Sequence, residues 1–195
     1  MKFVLATANP GKIGEMLEIL PALGVEVTTR AALGIDIEVE ETGGTFYENA
    51  LLKARAICDM SGLPAIADDS GLMVDALGGA PGVYSSSFGG ESLDDAGRRG
   101  FLLEKLDGVE QRGAKFVCVI VCVFPNGDLL TAEGQCAGEI VSVPRGGGGF
   151  GYDPVFMAEG MDKTMAELTR DEKNAISHRG RALRNFSAIL KDMGV

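Results

Sequence analysis

No stretch of this 195-residue chain approaches 18 consecutive apolar residues, so it holds no candidate membrane span. The opening MKFVLATANP has too short an apolar run for a secretory signal and no small-residue cleavage site; it reads as a first strand. Histidine is nearly absent, with one residue, and the four cysteines (Cys58, Cys118, Cys122 and Cys136) form no C-x-x-C pair. These shortages argue against a zinc site and read the cysteines as buried free thiols of a reducing, cytoplasmic compartment. Basic residues are also scarce, 18 against 28 acidic ones, for a net charge of -10. That balance disfavours a protein that coats nucleic acid. It still allows a small anionic ligand, held by a few well-placed cations.

The apolar share, 46%, is ordinary for a soluble domain. At roughly 100–200 residues per domain, residues 1–195 are expected to form one domain. Glycine is the excess: 28 residues, about twice the usual share. The glycines fall in short motifs, among them Asn9-Pro10-Gly11-Lys12, Thr42-Gly43-Gly44-Thr45, Gly78-Gly79-Ala80-Pro81-Gly82 and Gly146 to Gly149. Several such turns suggest backbone wrapped closely around a ligand.

Periodicity predicts strands at 2–8, 25–28, 35–40, 63–68 and 72–77, and a hairpin of 114–124 with 129–136 turning at Pro125-Asn126-Gly127-Asp128. Helices are expected at 10–20, from Thr45 to about 60 with a capping box to Glu48, and at 92–106, 164–169 and 174–193. The alternation predicts a mixed-sheet α/β domain without repeats or linkers.

Five places carry candidate chemistry. Thr7-Ala8-Asn9-Pro10-Gly11-Lys12 is a strand, turn and helix start, suited to phosphate but without Walker spacing. Asp68-Asp69-Ser70 puts two carboxylates after an apolar strand, where oxygen ligands favour Mg²⁺. Glu40-Glu41 is a second acidic pair; if its strand continues, only one of the two faces a site. Lys53 lies on the following helix. Phe150-Gly151-Tyr152-Asp153 offers two aromatics for stacking on a base. Finally Lys173 and Ser177-His178-Arg179-Gly180 gather fixed donors at a helix start.

Taken in order, these motifs closely resemble the RdgB-like family of non-canonical purine nucleoside triphosphate pyrophosphatases (inosine/xanthosine triphosphatases). The carrying segments are A-T-A-N-P-G-K at 6–12, E-E-T-G-G-T-F-Y-E-N-A-L-L-K-A at 40–54 and A-I-A-D-D-S-G-L at 65–72. They continue with G-G-A-P-G-V-Y-S at 78–85, G-F-G-Y-D-P-V-F at 149–156 and A-E-L-T-R-D-E-K-N-A-I-S-H-R-G-R-A-L at 166–183. The resemblance implies a curved mixed sheet with two lobes around a cleft, a homodimer, and Mg²⁺-dependent hydrolysis of (d)ITP and XTP to monophosphate and pyrophosphate. It implies that Thr7 to Lys12 bind phosphates, that Asp69 accepts the proton, and that Glu40, with Glu41 as the other member of the pair, and Asp69 serve the metal. Lys53 is then an essential cation, and Asp68 an acid behind Asp69 or an indirect metal contact. Ser70, Phe150 to Asp153, Lys173, His178 and Arg179 would contact the nucleotide; no nucleic-acid or membrane partner is expected.

Two segments depart from the family pattern. The cation expected after the P-G-x-Y turn is replaced by Ser85-Ser86-Ser87-Phe88, and the middle helix reads G-R-R-G where an Asn is expected. Arg98 or Arg99 is a candidate to replace the lost charge. A nucleotide-binding protein without turnover is disfavoured by the presence of Asp69, Lys53 and Lys12. The Maf-like pyrophosphatases are disfavoured by the S-H-R-G and F-G-Y-D motifs.

Overall fold

A computed structural model describes residues 1–194. Its strands are β1 (Lys2–Leu5), β2 (Glu26–Thr29), β3 (Ala65–Val74), β4 (Gly113–Val123), β5 (Leu129–Ile140) and β6 (Phe156–Ala158). Its helices are α1 (Pro10–Ala22), α2 (Phe46–Ser61), α3 (Asp95–Lys105), α4 (Arg170–Ile176) and α5 (His178–Asp192). Among the described residues the strands form one sheet in the order β2-β1-β3-β4-β5-β6. β1 runs parallel to β2 and β3, and β6 antiparallel to β5, so the sheet is mixed as the sequence predicts.

Tertiary contacts divide the chain into two compact units. The first comprises Met1–Asp69, Cys118–Gly134 and 178–194; the second comprises Ser70–Val117 and Gln135–Ser177. In the first, α1 presents Met16, Ile19 and Leu20 at helical spacing, and α5 presents Ala182, Leu183, Phe186 and Leu190. Both stripes pack on Phe3 and Leu5 of β1, Ile66 of β3 and Ile120 of β4. Phe3 meets Phe124 and Phe186 edge-on, at centroid distances of 6.2 and 6.3 Å. In the second unit Leu102 of α3 and Leu106, the cap that follows it, share a core with Leu72, Val74, Phe116, Ile140 and Phe156. All four cysteines are buried free thiols, and burial pushes Cys118 and Cys122 up to about 12, so both stay protonated.

Several boundaries differ from the sequence reading. Residues 35–40 form no strand: their apolar and acidic residues alternate, but no neighbouring strand pairs with them, and Arg30 Nη1 instead donates to the Ile37 carbonyl at 2.6 Å. In place of the two short strands expected at 63–68 and 72–77 there is one strand, β3, running through Asp68 and Asp69 without a break, and Asp75–Leu77 after it is a 3₁₀ turn. The expected helix at 164–169 is a single 3₁₀ turn, Met165–Glu167, closed by a Thr164–Glu167 capping box. The helix expected at 174–193 starts earlier and is split, because Ser177 adopts an extended conformation (φ −65°, ψ 155°) between α4 and α5.

Gly134 of β5 lies against the first turn of α5. A Cβ there would overlap the His178 carbonyl oxygen and the Ala182 amide nitrogen, which are backbone atoms and cannot swing away. Gly14 of α1, by contrast, has open space around a Cβ and a φ open to any residue. Gly134→Ala should therefore destabilise the protein by about 1–3 kcal/mol, and Gly14→Ala should stabilise it by about 0.5–1 kcal/mol. Urea unfolding midpoints check both; equal effects at the two positions would contradict the close approach of α5 to β5.

Candidate active site

β3 carries two consecutive carboxylates, and neighbouring residues of a strand point to opposite faces. Asp68 shares its face with Ile66, which belongs to the core built by α1 and α5. Asp69 shares the other face with Ala65 and Ala67 and meets α2. The alternation that the sequence reading applied to Glu40-Glu41 thus governs Asp68-Asp69 instead.

Asp68 is completely buried. Its Oδ2 accepts from Arg179 Nε (3.2 Å) and Nη2 (3.0 Å), and Lys12 Nζ lies 3.1 Å from the same atom. The Arg179 guanidinium, 1% exposed, also pairs with Glu15, one turn after Lys12 on α1. Burial alone would raise the Asp68 carboxyl, but Lys12, Arg179 and Lys53 overcome it and hold the group well below the carboxylate range. Asp68 is therefore a fixed anion.

Asp69 is differently placed. Lys53 Nζ donates to Asp69 Oδ1 at 3.2 Å and to Glu41 Oε1 at 2.9 Å, and Asn49 Nδ2 reaches Asp69 Oδ2 at 3.4 Å. Here burial prevails over Lys53 and Lys12, with Glu41 and Asp68 adding repulsion, and the carboxyl is pushed upward. Burial works against the Lys53 ammonium, yet Asp69, Asp68 and Glu41 keep it charged, with a raised pKa. The α2 start fixes this corner. Thr45 and Glu48 form the expected capping box, and Asn49 Oδ1 accepts from the Gly43 amide at 2.8 Å. Of the acidic pair, Glu41 is the residue that reaches Lys53; Glu40 is exposed.

The Thr7–Lys12 turn leads from β1 into α1. Asn9 caps the helix by accepting from the Lys12 amide at 3.1 Å, Pro10 occupies the first turn, and the Asn9 amide donates to Thr7 Oγ1 at 3.2 Å. Residues 8–10 are exposed, so this turn is open to a ligand. His178, at the start of α5, is buried.

The second unit holds Ser70, Phe150 to Asp153 and Lys173. Lys173 Nζ donates to Asp153 Oδ2 at 2.6 Å and lies 4.7 Å from the Phe150 ring centre. The Phe150 amide donates to the same Asp153 oxygen at 2.8 Å. Gly149 has φ 68° and its Cβ would strike the Asp153 carboxylate, so glycine is required there on both counts. The two aromatics separate in role: Tyr152 is packed in the core, its hydroxyl donating to the Ser85 carbonyl at 2.9 Å, whereas Phe150 is half-buried. Neither arginine of α3 is idle. Arg98 pairs with Asp95 at 3.1 Å and Arg99 donates to the Gly151 carbonyl at 2.8 Å.

The model of the Ham1 family matches residues 3–189. The chain belongs to the Ham1 family. It is 48% identical over 190 residues to the dITP/XTP pyrophosphatase of Bacillus subtilis (strain 168), covering 96% of each chain. It is 51% identical over 195 residues to that of Escherichia coli O157:H7, covering 98% of each. Among solved structures, the Staphylococcus aureus Ham1 protein superposes with a TM-score of 0.88 at 41% identity, covering 99% of this chain and all of the other. A HAM1 protein from Coxiella burnetii gives 0.88 at 44%, covering 98% and 99%. The family resemblance read from the motifs is borne out.

Sequence reading missed Glu15 and Asn49 as site residues. Glu15 was legible only as a residue three positions from Lys12 on one helix face, and Asn49 as the residue one turn before Lys53.

The depressed Asp68 carboxyl contributes stability that is fully present above its ordinary value of 3.8 and lost as pH falls below it toward the folded-state value. Circular dichroism should show acid unfolding beginning below about pH 4. Asp68→Asn should lose about 3–5 kcal/mol at neutral pH by leaving Arg179 under-neutralised, with a flatter acid limb. Parental stability in the Asn variant at pH 7 would contradict the anchoring role.

Proposed function

We propose that this chain hydrolyses non-canonical purine nucleoside triphosphates, (d)ITP and XTP, to the monophosphate and pyrophosphate. The whole chain serves as one catalytic domain, acting as a cytoplasmic homodimer that cleanses the nucleotide pool. The observation that carries the reading is the divergent pair on β3: an ionised, immobilised Asp68 beside an Asp69 whose proton affinity is raised, with Lys53 bonded to the latter. Two adjacent carboxylates pushed in opposite directions are a signature of assigned acid–base roles.

Water attacks the α-phosphorus, the bond from that phosphorus to the bridging oxygen breaks, and pyrophosphate leaves. Asp69 accepts the water's proton. Lys12 and Lys53 neutralise phosphate charge, and the Thr7–Gly11 turn, exposed at residues 8–10, supplies backbone donors. Asp68, through Lys12 and Arg179, keeps the first of these lysines in place. Among the described residues no group of three or more acidic, histidine or cysteine side chains is preformed for a metal. The donor set nevertheless suits Mg²⁺. Asp69 and Glu41 bring carboxylate oxygens to one point, now bridged by the Lys53 ammonium, and Mg²⁺ is commonly held by one or two carboxylates plus substrate phosphates. Asp69 with Glu41 or Glu40 would hold it; when bound, it supplies charge neutralisation and a lower pKa for water.

In the second unit, Phe150 offers a face for a purine, with Ser70 among the nucleotide contacts and Tyr152 anchoring the loop. Hypoxanthine and xanthine present an O6 acceptor where adenine presents an amino group. The Lys173 ammonium favours the former; His178 and Arg179, in the first unit, are the other donors we assign to the nucleotide. A buried donor facing donors discriminates by roughly 10⁴.

The test is pyrophosphate release from a panel of ITP, XTP, ATP, GTP and pyrimidine triphosphates, with and without Mg²⁺. ITP and XTP should lead; equal turnover of ATP, or full activity in EDTA, overturns the reading. Asp69→Asn should abolish release while leaving the thermal midpoint near the parent's, since it removes the base with almost no change in volume. Wild-type-like release from that variant would sink the assignment.

The serines after the Gly82–Tyr84 turn supply a third test. Ser86 is exposed, and the Ser87 hydroxyl makes only a long 3.5 Å contact to the Tyr84 carbonyl. Restoring a cation with Ser87→Arg should lower KM for ITP by several-fold to about tenfold, with kcat little changed. The gain should shrink with added salt. An unchanged KM would show that another cation already fills the role.

A further inference from the structure

The loop 149–153 is braced from the first turns of α3. The Gly151 amide donates to Asp95 Oδ2 at 2.8 Å, and the Gly151 carbonyl accepts from Arg99 Nη1 at 2.8 Å. Asp95 and Arg99 are four residues apart, on one face of the helix, and between them they take the donor and the acceptor of one residue. Asp95 Oδ1 in turn accepts from Arg98 at 3.1 Å, so the carboxylate is itself held. Asp94 caps the helix on the Gly97 amide at 2.7 Å, which fixes where both side chains start. Gly151 has φ 59° and open space where a Cβ would stand. No neighbour outside the adjoining residues packs where a Cβ would stand, and two charge-assisted bonds hold its backbone.

Both flanks of Gly151 carry chemistry. Phe150 before it lies against the Lys173 ammonium, and Asp153 beyond it accepts from Lys173 and from the Phe150 amide. Moving Gly151 moves the Phe150 ring and the carboxylate that holds Lys173.

We propose that Asp95 and Arg99 are positioning residues that clamp the Gly151 backbone and so set the Phe150–Lys173 platform on which the purine base is bound. This rests on the reading of that platform as the base site. The clamp acts on ground state and transition state alike, because the base does not react. Its loss therefore raises KM and spares kcat. It also has no bearing on a ligand that lacks a base.

The experiment measures KM and kcat for ITP, Ki for inorganic tripolyphosphate as a base-free competitor, and hydrogen exchange of the 149–153 amides. The variants are Asp95→Ala, Asp95→Asn, Arg99→Ala and Arg99→Lys. Asp95→Ala and Arg99→Ala should raise KM for ITP about tenfold, leave kcat and the tripolyphosphate Ki within about twofold, and speed exchange at Gly151. Asp95→Asn keeps an acceptor oxygen and should restore most of the parental KM; Arg99→Lys keeps a donor and should restore part. Alanine variants with parental KM, or with KM and Ki rising together, overturn the clamp, as does an Asn variant no better than Ala. Phe150→Ala separates the two levels. If it leaves KM for ITP unchanged, the base-site reading fails. If it raises KM while the α3 variants do not, only the clamp fails.

Discussion

Two carboxylates side by side in the middle of a buried strand are costly, since each loses hydration and each repels the other. The protein tolerates them because the pleat sends them to opposite faces, where each meets cations from a different helix. Asp68 is sealed between Lys12 and Arg179, and Asp69 meets Lys53. The elements of the first unit can be read as answers to that problem. α1 brings Lys12 and Glu15, α5 brings Arg179, and α2 brings Lys53 and Asn49. A strand ending in a loop at this point, as the sequence suggested, would have left both groups hydrated and alike. Burial raises both; the different cations that meet them on the two faces are what make them differ.

Much of this was legible in the sequence because it depends on short-range rules. The Asn9-Pro10 helix start, the Thr45–Glu48 capping box and the buried thiols follow from local chemistry and came out as expected. The 35–40 segment misled because alternation shows only that a strand would be half-buried; it does not provide a partner to pair with. β3 misled in the opposite way: Asp-Asp-Ser-Gly has turn composition, yet tertiary pairing carried the strand straight through it. The Arg179–Asp68 and Asp95–Gly151 contacts join residues 111 and 56 positions apart, a distance at which residue spacing gives no signal.

The glycine excess also resolves into distinct physical reasons. Gly149 and Gly151 supply positive φ where a loop must fold tightly beside Asp153. Gly134 and Gly138 sit inside β5, where a side chain would strike the backbone of α5 and β6 respectively. Glycine serves turn geometry in the first pair and close packing in the second.

The orientation of Asn49 is settled by the loop before it. Its oxygen is taken by the Gly43 amide, so its amino group must face Asp69. A Cβ at Gly43 would press on both Glu48 and Asn49. The loop and Asp69 therefore do not vary independently: whatever shifts the peptide at 43 withdraws or strengthens a donor at the Asp69 oxygen. A segment without regular secondary structure, half-exposed and remote from Asp69 in sequence, is thus wired to the electrostatics of a buried carboxylate.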